Sequence, residues 1–368
     1  MVDVMSFRKA EGRIQDLDRC RGRGVTSCAA GRFERHHINE FDDGWSGLED
    51  LPPFHTEVRK EIAKGIISTN SSPDVPFSNS INPYRGCEHG CCYCFARPTH
   101  CYWGHSAGLD FETKLTAKVN AVELLEEALA KKNYQVSPIA LGVNTDAYQP
   151  IEKKYELTRG ILKVLTRAKH PVVLVTKSAL VLRDLDLLVP LAEQGLVSVA
   201  FSMTTLDHKL SRLMEPRASA PHRRLAALEA LSEAGVPTMA LVAPVIPQLN
   251  DQEIDAILEA VAGVGVRQAG YVLLRLPHEV RELFHDWLQQ HFPDRAKRVM
   301  SLLLSMRGGR DYQAEFGKRM RGDGVYADLI KDRFRLAVRR LGFNDEPFIL
   351  RQDLFEPPVP QGGQMRLI

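Results

Sequence analysis

Four cysteines stand close together in one short run of the sequence. The run reads Asn82-Pro83-Tyr84-Arg85-Gly86-Cys87-Glu88-His89-Gly90-Cys91-Cys92-Tyr93-Cys94. Cys87, Cys91 and Cys94 have C-x3-C-x2-C spacing, which places three thiolates on one loop. An iron-sulfur cube is usually held by four cysteines, so three of them leave one iron open to an outside ligand. The spacing therefore predicts a [4Fe-4S] cluster that does chemistry at its open iron.

Two other uses of grouped thiols fit this sequence less well. Structural zinc sites usually pair two ligand couples across a longer spacer, and neither a second C-x2-C nor an H-x3-H follows the run. Disulfides suit oxidising compartments, but the chain has seven cysteines, an odd number. Its first residues, Met1-Val2-Asp3-Val4, lead into charged sequence rather than an apolar signal core. We therefore expect reduced thiols and a cytoplasmic location.

Cys92 is an additional thiol beside the three candidate ligands. Ligation by Cys92 in place of Cys91 would give C-x4-C-x-C, a spacing that wraps a cube less readily. We expect Cys92 to pack as a small apolar residue, with a role in cluster exchange or repair as the alternative. The other cysteines are expected to be ordinary buried thiols: Cys20, Cys28 and Cys101.

The composition is that of a globular chain without membrane spans. The 368 residues are 44% hydrophobic, and no apolar run approaches the roughly 18 residues that a membrane helix needs. The net charge of +2 and the pI near 8.1 are too mild to indicate nucleic-acid binding. Two local clusters are basic, but acidic residues are interleaved with both, so a solvated face is the alternative to phosphate binding. They are Arg19, Arg21, Arg23, Arg32 and Arg35, and Arg307, Arg310, Lys318, Arg319, Arg321, Lys331, Arg333, Arg335 and Arg339.

From Ile81 onward, short aliphatic runs alternate with amphipathic helical stretches, the pattern of β/α units around a parallel sheet. Six strands are predicted, over 80–84, 139–143, 172–176, 197–201, 238–242 and 271–274. Six such units are an incomplete version of the eight-stranded barrel. Apolar residues at helical spacing lie between them and are predicted to be core: Val122, Leu124, Leu125, Ala128, Leu129, Leu157, Ile161, Leu162, Leu165, Leu225, Leu228 and Leu231.

The chain divides into four predicted regions. Residues 1–75 show no convincing strand and helix alternation, so we expect an irregular N-terminal extension that lies over the barrel or is partly disordered. Residues 76–277 hold the six units. In 278–345, helices are predicted over 280–291, 296–306 and 326–341, where they would close the open side, and 346–368 form a tail.

The cysteine run resembles the cluster loop of the radical S-adenosylmethionine (SAM) superfamily. In that family the amino and carboxylate groups of SAM chelate the open iron. One electron from the cluster then splits SAM into methionine and a 5′-deoxyadenosyl radical that abstracts hydrogen from a substrate. The resemblance implies a partial (β/α)6 TIM-type barrel and metal ligation by Cys87, Cys91 and Cys94. The aromatic residue before the last cysteine usually packs near the adenine, which implies this role for Tyr93.

The remaining site candidates follow the predicted strands, because reacting groups in such barrels gather at the carboxyl ends of the strands. The second-strand motif of the superfamily holds the SAM ammonium group, which implies that role for the segment with Thr145 and Asp146. The SAM-binding candidates beside Tyr93 are Asn144, Thr145, Asp146, Lys177 and Ser202, with Ser178 and Thr204 in similar reach. A loop cap is the alternative for Asp146, and a surface charge is the alternative for Lys177.

Two arginines are candidates for the mouth of the site. Arg275 follows the sixth predicted strand, and Arg217 lies in Met214-Glu215-Pro216-Arg217. The planar fork of Arg275 suits a carboxylate or a phosphate. An ion pair with Glu215 would explain either arginine equally well.

Several phrases resemble the bacterial branch described as spore-photoproduct-lyase-like or DNA repair photolyase-like. They are Arg21-Gly22-Arg23-Gly24, Ser80-Ile81-Asn82-Pro83-Tyr84-Arg85-Gly86, Gly108-Leu109-Asp110-Phe111-Glu112, Thr145-Asp146-Ala147-Tyr148-Gln149-Pro150 and Met306-Arg307-Gly308-Gly309. Spore photoproduct lyase returns a hydrogen atom from a cysteine near the end of strand two, and a tyrosine after the last cluster cysteine is associated with that relay. Here no cysteine follows Cys101, and the second position is Phe95. Both departures argue against the same lesion reversal.

The leading hypothesis is a radical SAM enzyme with a [4Fe-4S] cluster and SAM as cofactors. The resemblance implies an electron donor such as flavodoxin or ferredoxin, and a nucleic acid or nucleotide as the substrate. The alternative is a nucleic-acid-binding protein with a structural cluster, whose arginines grip phosphates. A third option is modification of a peptide or another protein. The sequence names no general acid or base and leaves the oligomeric state open.

Overall fold

Ten strands and eleven α-helices make up the part of the chain that the structure describes. It is a computed structural model that describes residues 20–27, 32–33, 53–310, 312–346 and 348–358. The strands are β1 (Glu57–Glu61), β2 (Ile67–Thr69), β3 (Asn79–Ile81), β4 (Tyr84–Arg85), β5 (Lys114–Lys118), β6 (Ile139–Leu141), β7 (Val172–Thr176), β8 (Val197–Ser202), β9 (Thr238–Val245) and β10 (Gln268–Leu273). The helices are α1 (Asp110–Thr113), α2 (Ala121–Leu129), α3 (Glu152–Tyr155), α4 (Leu157–Arg167), α5 (Leu185–Glu193), α6 (His208–Met214), α7 (Pro221–Glu233), α8 (Ile254–Gly263), α9 (Val280–His291), α10 (Pro293–Ser305) and α11 (Val325–Leu341).

The main sheet consists of six parallel strands that lie side by side in the order of the chain. They are β3, β6, β7, β8, β9 and β10, and β2 joins antiparallel beside β3. Within the described residues the sheet runs from β10 to β2 without closing on itself. The α/β partial barrel of six units predicted from the sequence is therefore confirmed.

The register of the main sheet brings the carboxyl ends of its strands to one edge. Leu141 pairs with Ile81 on one side and with Leu174 on the other. Thr176 pairs with Phe201 in the same way. The segments that follow β3, β6, β7 and β8 consequently leave the sheet at a common edge, where the predicted site residues lie.

β3 and β6 end three and two residues earlier than the sequence predicts, and β10 ends one residue earlier. β3 ends at Ile81 because Pro83 has no amide hydrogen to continue the ladder, and Tyr84 belongs to β4 in another sheet. β6 ends at Leu141 because Gly142 adopts a φ of +86°. A Cβ on Gly142 would lie 2.8 Å from the carbonyl oxygen of Val175. β7 has the predicted bounds, and the remaining three strands overlap their predictions.

A second, three-stranded sheet was not predicted. It has the order β1-β5-β4, with β1 parallel and β4 antiparallel to β5. β1 and β2, at residues 57–61 and 67–69, were not predicted either, and they lie within the extension that was expected to be partly irregular. β1 reads EVRKE and is mostly exposed, so it lacks the apolar alternation that marks a half-buried strand. Most of the extension before it lies outside the described residues, as do Arg19, Arg35 and Cys28.

The helices form an outer layer around the main sheet. The predicted leucine stripes fall in α2, α4 and α7, and Leu125, Ile161 and Leu228 are fully buried. The three predicted C-terminal helices correspond to α9, α10 and α11. α11 packs against α8, and its Phe334 ring lies 4.7 Å from the ring of Tyr271 in β10. Among the described residues, no helix combines the length and apolar character required to cross a bilayer.

The outer edge of β10 is covered by segments that follow the barrel. The side chain of Asn344 bonds to both backbone polar groups of Ala269, accepting at 2.9 Å and donating at 3.0 Å. The amide of Leu273 donates to the carbonyl oxygen of Met320 at 2.9 Å. These contacts satisfy backbone groups that an open sheet would otherwise expose at its edge.

Replacement of Asn344 by alanine is expected to destabilise the fold by about 1–3 kcal/mol. The change removes both bonds to Ala269 and places alanine at a φ of 62°, a region that asparagine tolerates better. Urea unfolding of the variant measures the loss. Asn133→Ala at an exposed turn is the control and should stay within ~0.5 kcal/mol of the parent.

Candidate cluster-binding site

The three candidate ligands lie on the cysteine loop, residues 86–96, between β4 and the 3-10 helix Arg97–Trp103. The loop is fixed at its start by the Cys87 amide, which donates to the carbonyl oxygen of Phe111 at 2.9 Å. The Cys94 amide donates to the Cys91 carbonyl at 3.2 Å. Cys87 and Cys91 are buried, Cys94 is half-buried, and none is in a disulfide. The sequence therefore folds into one loop on which the three candidate ligands, like Cys92 between them, are free thiols.

Close backbone contacts require glycine on both sides of the loop. Gly90 has a φ of +68°, and a Cβ there would lie 2.7 Å from the Oε2 atom of Glu112. Gly24, in the N-terminal segment, lies so near the loop that its Cβ would be 1.4 Å from the Gly90 carbonyl oxygen. Residues 20–27 therefore form part of the wall of the site.

A buried ion pair anchors the rear of the loop. Arg97 and Glu112 have no side-chain exposure, and the guanidinium donates to Oε1 of Glu112. Arg97 also donates to the carbonyl oxygens of Cys91 at 2.9 Å, Ala107 at 3.1 Å and Gly108 at 2.9 Å. The other carboxylate oxygen of Glu112 accepts the Gly24 amide at 2.9 Å. One pair thus joins a ligand residue, α1 and the N-terminal segment.

Residues after β6 hold the front of the loop. Gln149 is fully buried. Its side-chain nitrogen donates to the Gly86 carbonyl at 3.1 Å, and its side-chain oxygen accepts from the Glu88 backbone amide at 2.9 Å. The side chain therefore spans Cys87 and fixes the backbone on both sides of this ligand.

Asp146 caps its own loop, which was the alternative to its predicted contact with SAM. Its carboxylate accepts from Thr176 Oγ1 and from the backbone amides of Tyr148 and Lys177, each at 2.8 Å. His89 Nδ1 lies 3.4 Å away. Burial would raise the pKa of Asp146, but His89 and the two amides outweigh it and lower the pKa to about 2. Asp146 thereby joins the segments after β6 and β7 to the cysteine loop.

Asn144 and Thr145 are also held by Asn82, the residue that directly follows β3. The amides of both residues donate to the side-chain oxygen of Asn82, at 2.9 and 3.2 Å. The Thr145 hydroxyl donates to the Tyr84 carbonyl at 3.0 Å. The Thr145 side chain is thus committed to holding the segment after β6 against β4, and its predicted contact with SAM stays a prediction.

Tyr93, Lys177 and Ser202 lie around one buried carboxylate. Tyr93 donates its hydroxyl to Glu215, and the Lys177 ammonium lies 6.0 Å from the centre of the Tyr93 ring. The Ser202 carbonyl accepts from Arg224 at 2.9 Å, and Arg224 also donates to Glu215. Burial opposes ionisation of Glu215, yet Arg224 and Lys177 keep its pKa below the usual value.

The ion pair with Glu215, which was the alternative role for Arg217 and Arg275, is not formed. Arg217 bonds to Glu88 at 2.6 Å, and the guanidinium carbon of Arg275 lies 4.7 Å from the centre of the Phe95 ring. The true partner, Arg224, was missed. Its position four residues before Leu228 places it in the apolar stripe of α7, and a charged residue within such a stripe was the available signal.

Two further candidates have structural contacts. The Ser178 side chain caps a 3-10 helix by accepting the Leu180 amide, and the Thr204 hydroxyl donates to Glu215 at 2.7 Å. Cys92 is fully buried, in agreement with the expectation of a packed thiol, and its amide donates to the Met214 carbonyl at 3.1 Å. Cys20 and Cys101 are buried as well.

The basic clusters are used mainly within the fold. Arg23 is buried and donates to the carbonyl oxygens of Glu112 and Phe54. In the second cluster, Arg319 pairs with Asp74, and others pair with nearby carboxylates: Lys318 with Glu315, Arg333 with Asp255, and Arg335 with Asp332. These pairings favour the interpretation of each cluster as a solvated face with internal ion pairs over its interpretation as a phosphate-binding surface.

The donor chemistry of the loop fits an iron-sulfur cube. Burial raises the pKa of the Cys87 thiol, and it raises that of Cys91 to about 12, so bound iron would have to displace these protons. Among the described residues, no three His, Cys, Asp or Glu side chains are grouped around the position of a single metal ion. Each thiolate of a cube binds a different iron, so such convergence is not required.

A cavity of about 500 Å³ lies outside this constellation. It is bounded by residues 20–27, by Lys209 and Arg212 of α6, and by Trp287 of α9. None of the predicted SAM-binding residues lines it. We therefore do not assign SAM to this cavity.

Comparison with known proteins identifies the family. A model described as the radical SAM superfamily matches residues 81–261. An uncharacterized protein of Mycobacterium tuberculosis is 38% identical over 230 residues, covering 62% of this chain and 68% of the relative. An uncharacterized protein of Methanocaldococcus jannaschii is 31% identical over 238 residues, covering 65% of this chain and 85% of the relative. The chain belongs to the radical SAM superfamily and is an enzyme of that class.

Solved structures of spore photoproduct lyase share the fold. A variant with a cysteine-to-serine substitution has a TM-score of 0.57 and 18% sequence identity, and the match covers 78% of this chain and 80% of that chain. The lyase complexed with dinucleoside spore photoproduct gives a TM-score of 0.56 at 17% identity, with the same coverage. The structural similarity to this lyase agrees with the resemblance found in the sequence phrases.

Alanine at Cys87, Cys91 or Cys94 is expected to remove most of the bound iron, because each thiolate would ligate a separate iron. Cys92→Ala removes an equally buried neighbouring thiol and should keep iron near the parent value. Iron and sulfide analysis with visible absorption spectra distinguishes the four variants. Retention of iron in Cys91→Ala with loss in Cys92→Ala would show that the ligand spacing is wrong.

Glu112→Gln is expected to destabilise the protein by about 3–5 kcal/mol, because it leaves the buried Arg97 guanidinium without a counter-charge. The loosened loop should also incorporate less iron. Denaturant unfolding and iron analysis measure the two effects. Glu126→Gln breaks the exposed pair with Arg167 and should change the stability by less than ~1 kcal/mol.

Proposed function

We propose that this enzyme uses a [4Fe-4S] cluster, held by Cys87, Cys91 and Cys94, to abstract hydrogen from a nucleotide or nucleic-acid substrate by way of SAM. When bound, the cluster and SAM supply an electron and a 5′-deoxyadenosyl radical. The observation that carries the proposal is the placement of three free thiols on one loop at the carboxyl edge of a six-stranded partial barrel.

The residues of the chain would position SAM rather than react with it. Lys177 is half-buried at the end of β7 and has its ammonium near the Tyr93 ring and Glu215. This charge suits the SAM carboxylate. Tyr93, held by Glu215, offers a fixed aromatic surface for the adenine. Ser202 and Asn144 line the neighbouring strand ends, whereas Thr145 and Asp146 act mainly by holding the loops.

The proposed substrate class rests on the structural neighbour. The lyase of similar fold was solved with a dinucleoside spore photoproduct, and another variant holds AdoMet and that lesion. Phe95 follows Cys94, and its ring has no O–H hydrogen to donate. We therefore propose a reaction other than direct reversal of the same lesion.

The electron donor is proposed to be a small reductant such as flavodoxin or ferredoxin, in a cytoplasmic setting. We also propose that the chain divides into an N-terminal extension, a barrel over 76–277, a helical region over 278–345 and a tail.

Protein prepared without oxygen and reduced with dithionite is expected to convert SAM into 5′-deoxyadenosine. Lys177→Met should raise the Kd for SAM by about tenfold while retaining iron, since it removes one charge-assisted contact. Lys209→Met removes an exposed lysine of α6 and serves as the control. Protein that holds four irons and SAM yet forms no 5′-deoxyadenosine would favour a structural cluster in a nucleic-acid-binding protein.

A further inference from the structure

Arg275 lies directly above the cysteine loop. It follows β10 by two residues, at the same edge of the barrel as the other strand ends. Its guanidinium carbon is 4.7 Å from the centre of the Phe95 ring, and Phe95 is the residue after Cys94. The ring of Phe95 is 46% exposed, although it is large and apolar. The pair therefore forms a cationic and aromatic surface beside the last cluster ligand.

Among the described residues, no carboxylate forms an ion pair with Arg275, and its guanidinium contacts the sulfur of Met320 at 3.6 Å. The Asp74 carboxylate attracts Arg275 from beyond ion-pair distance, but it already pairs with Arg319 and accepts the Gly317 amide at 2.6 Å. Burial lowers the pKa of Arg275, and the positive charge of Arg319 adds to this, whereas Tyr312 and Asp74 oppose it. A partly buried cation whose neighbouring carboxylate is already paired gains stability when a further anion binds it.

The segment around Arg275 is held firmly. Arg307 is buried and donates to the carbonyl oxygens of Leu274, Lys318 and Arg319 at 2.8 to 3.1 Å. These bonds tie the loop after α10 to the end of β10. The backbone that carries Arg275 is therefore fixed, which lowers the entropy cost when its guanidinium binds an anion.

We propose that Arg275 and Phe95 form a subsite for an oxyanion of the substrate, a phosphate of a nucleotide. This inference rests on the proposed function and adds to it the part of the substrate that is gripped. The planar fork of Arg275 gives two parallel bonds to phosphate oxygens. The Phe95 ring packs against the group next to the phosphate, which places the reacting part of the substrate beside the cluster.

Calorimetric titration of the cluster-loaded protein tests the subsite without turnover. The probes are a thymidine dinucleotide with a phosphodiester link, the same dinucleotide with a neutral methylphosphonate link, and an N-acetylated aspartyl dipeptide amide as the carboxylate. Arg275→Gln should weaken phosphodiester binding by about tenfold to a hundredfold and leave methylphosphonate binding unchanged. Arg275→Lys should show an intermediate loss, because it keeps the charge and loses the fork.

Arg321→Gln is the matched control. Arg321 lies on the loop between α10 and α11 and is exposed, with its guanidinium over the Tyr271 ring. Equal losses in the two glutamine variants would reduce the effect to general electrostatics and overturn the proposal. Unchanged binding in Arg275→Gln would also overturn the proposal, and so would a parent protein that binds none of the three probes. Thermal melts of all variants check that they are folded.

Two results separate this subsite from the proposed function. Binding of the carboxylate alone, with dependence on Arg275, would support the oxyanion subsite and overturn the nucleotide substrate. Failure of the parent protein to form 5′-deoxyadenosine would overturn the radical chemistry, while the Arg275-dependent titration would still stand.

Discussion

The buried pair of Arg97 and Glu112 is the constraint on which the site depends. Two opposite charges without exposure are tolerated only when their remaining bonding positions are filled. Here they are filled by the backbone of the cysteine loop, of the segment before α1 and of residue 24. The same bonds that make the pair tolerable therefore hold a ligand loop that has almost no regular structure of its own.

The phrases that pointed to the family prove to be the supports of this loop. Gly108 to Glu112 supplies acceptors for Arg97, Gln149 brackets Cys87, and Asn82 binds the amides after β6. None of these groups is a predicted ligand. The recognisable sequence pattern thus records the surroundings that position three sulfur atoms, as well as the sulfur atoms themselves.

Much of the barrel could be predicted from the sequence, because helices and strands that are buried on one face carry apolar residues at a regular spacing. β7 has the predicted bounds, and the leucines of α4 are buried as expected. β1 was missed because its side chains are exposed, and the assignment of Tyr84 to β4 depends on a pairing partner far along the chain. Arg224 stands out as a charge within an apolar stripe, but its pairing with Glu215 depends on tertiary contacts, as do the bonds of Asp146 to residues 176 and 177.

Because Gly24 lies against Gly90, residues far from the cysteine run in the sequence help to form the site. The family match begins at Ile81 and includes every cysteine of the loop. A polypeptide trimmed to that span would keep its iron ligands and lose the glycine surface that lies against them, together with one donor to Glu112. The unit that forms the site is therefore larger than the segment that matches the family, and it draws on residues some sixty positions upstream of the first ligand.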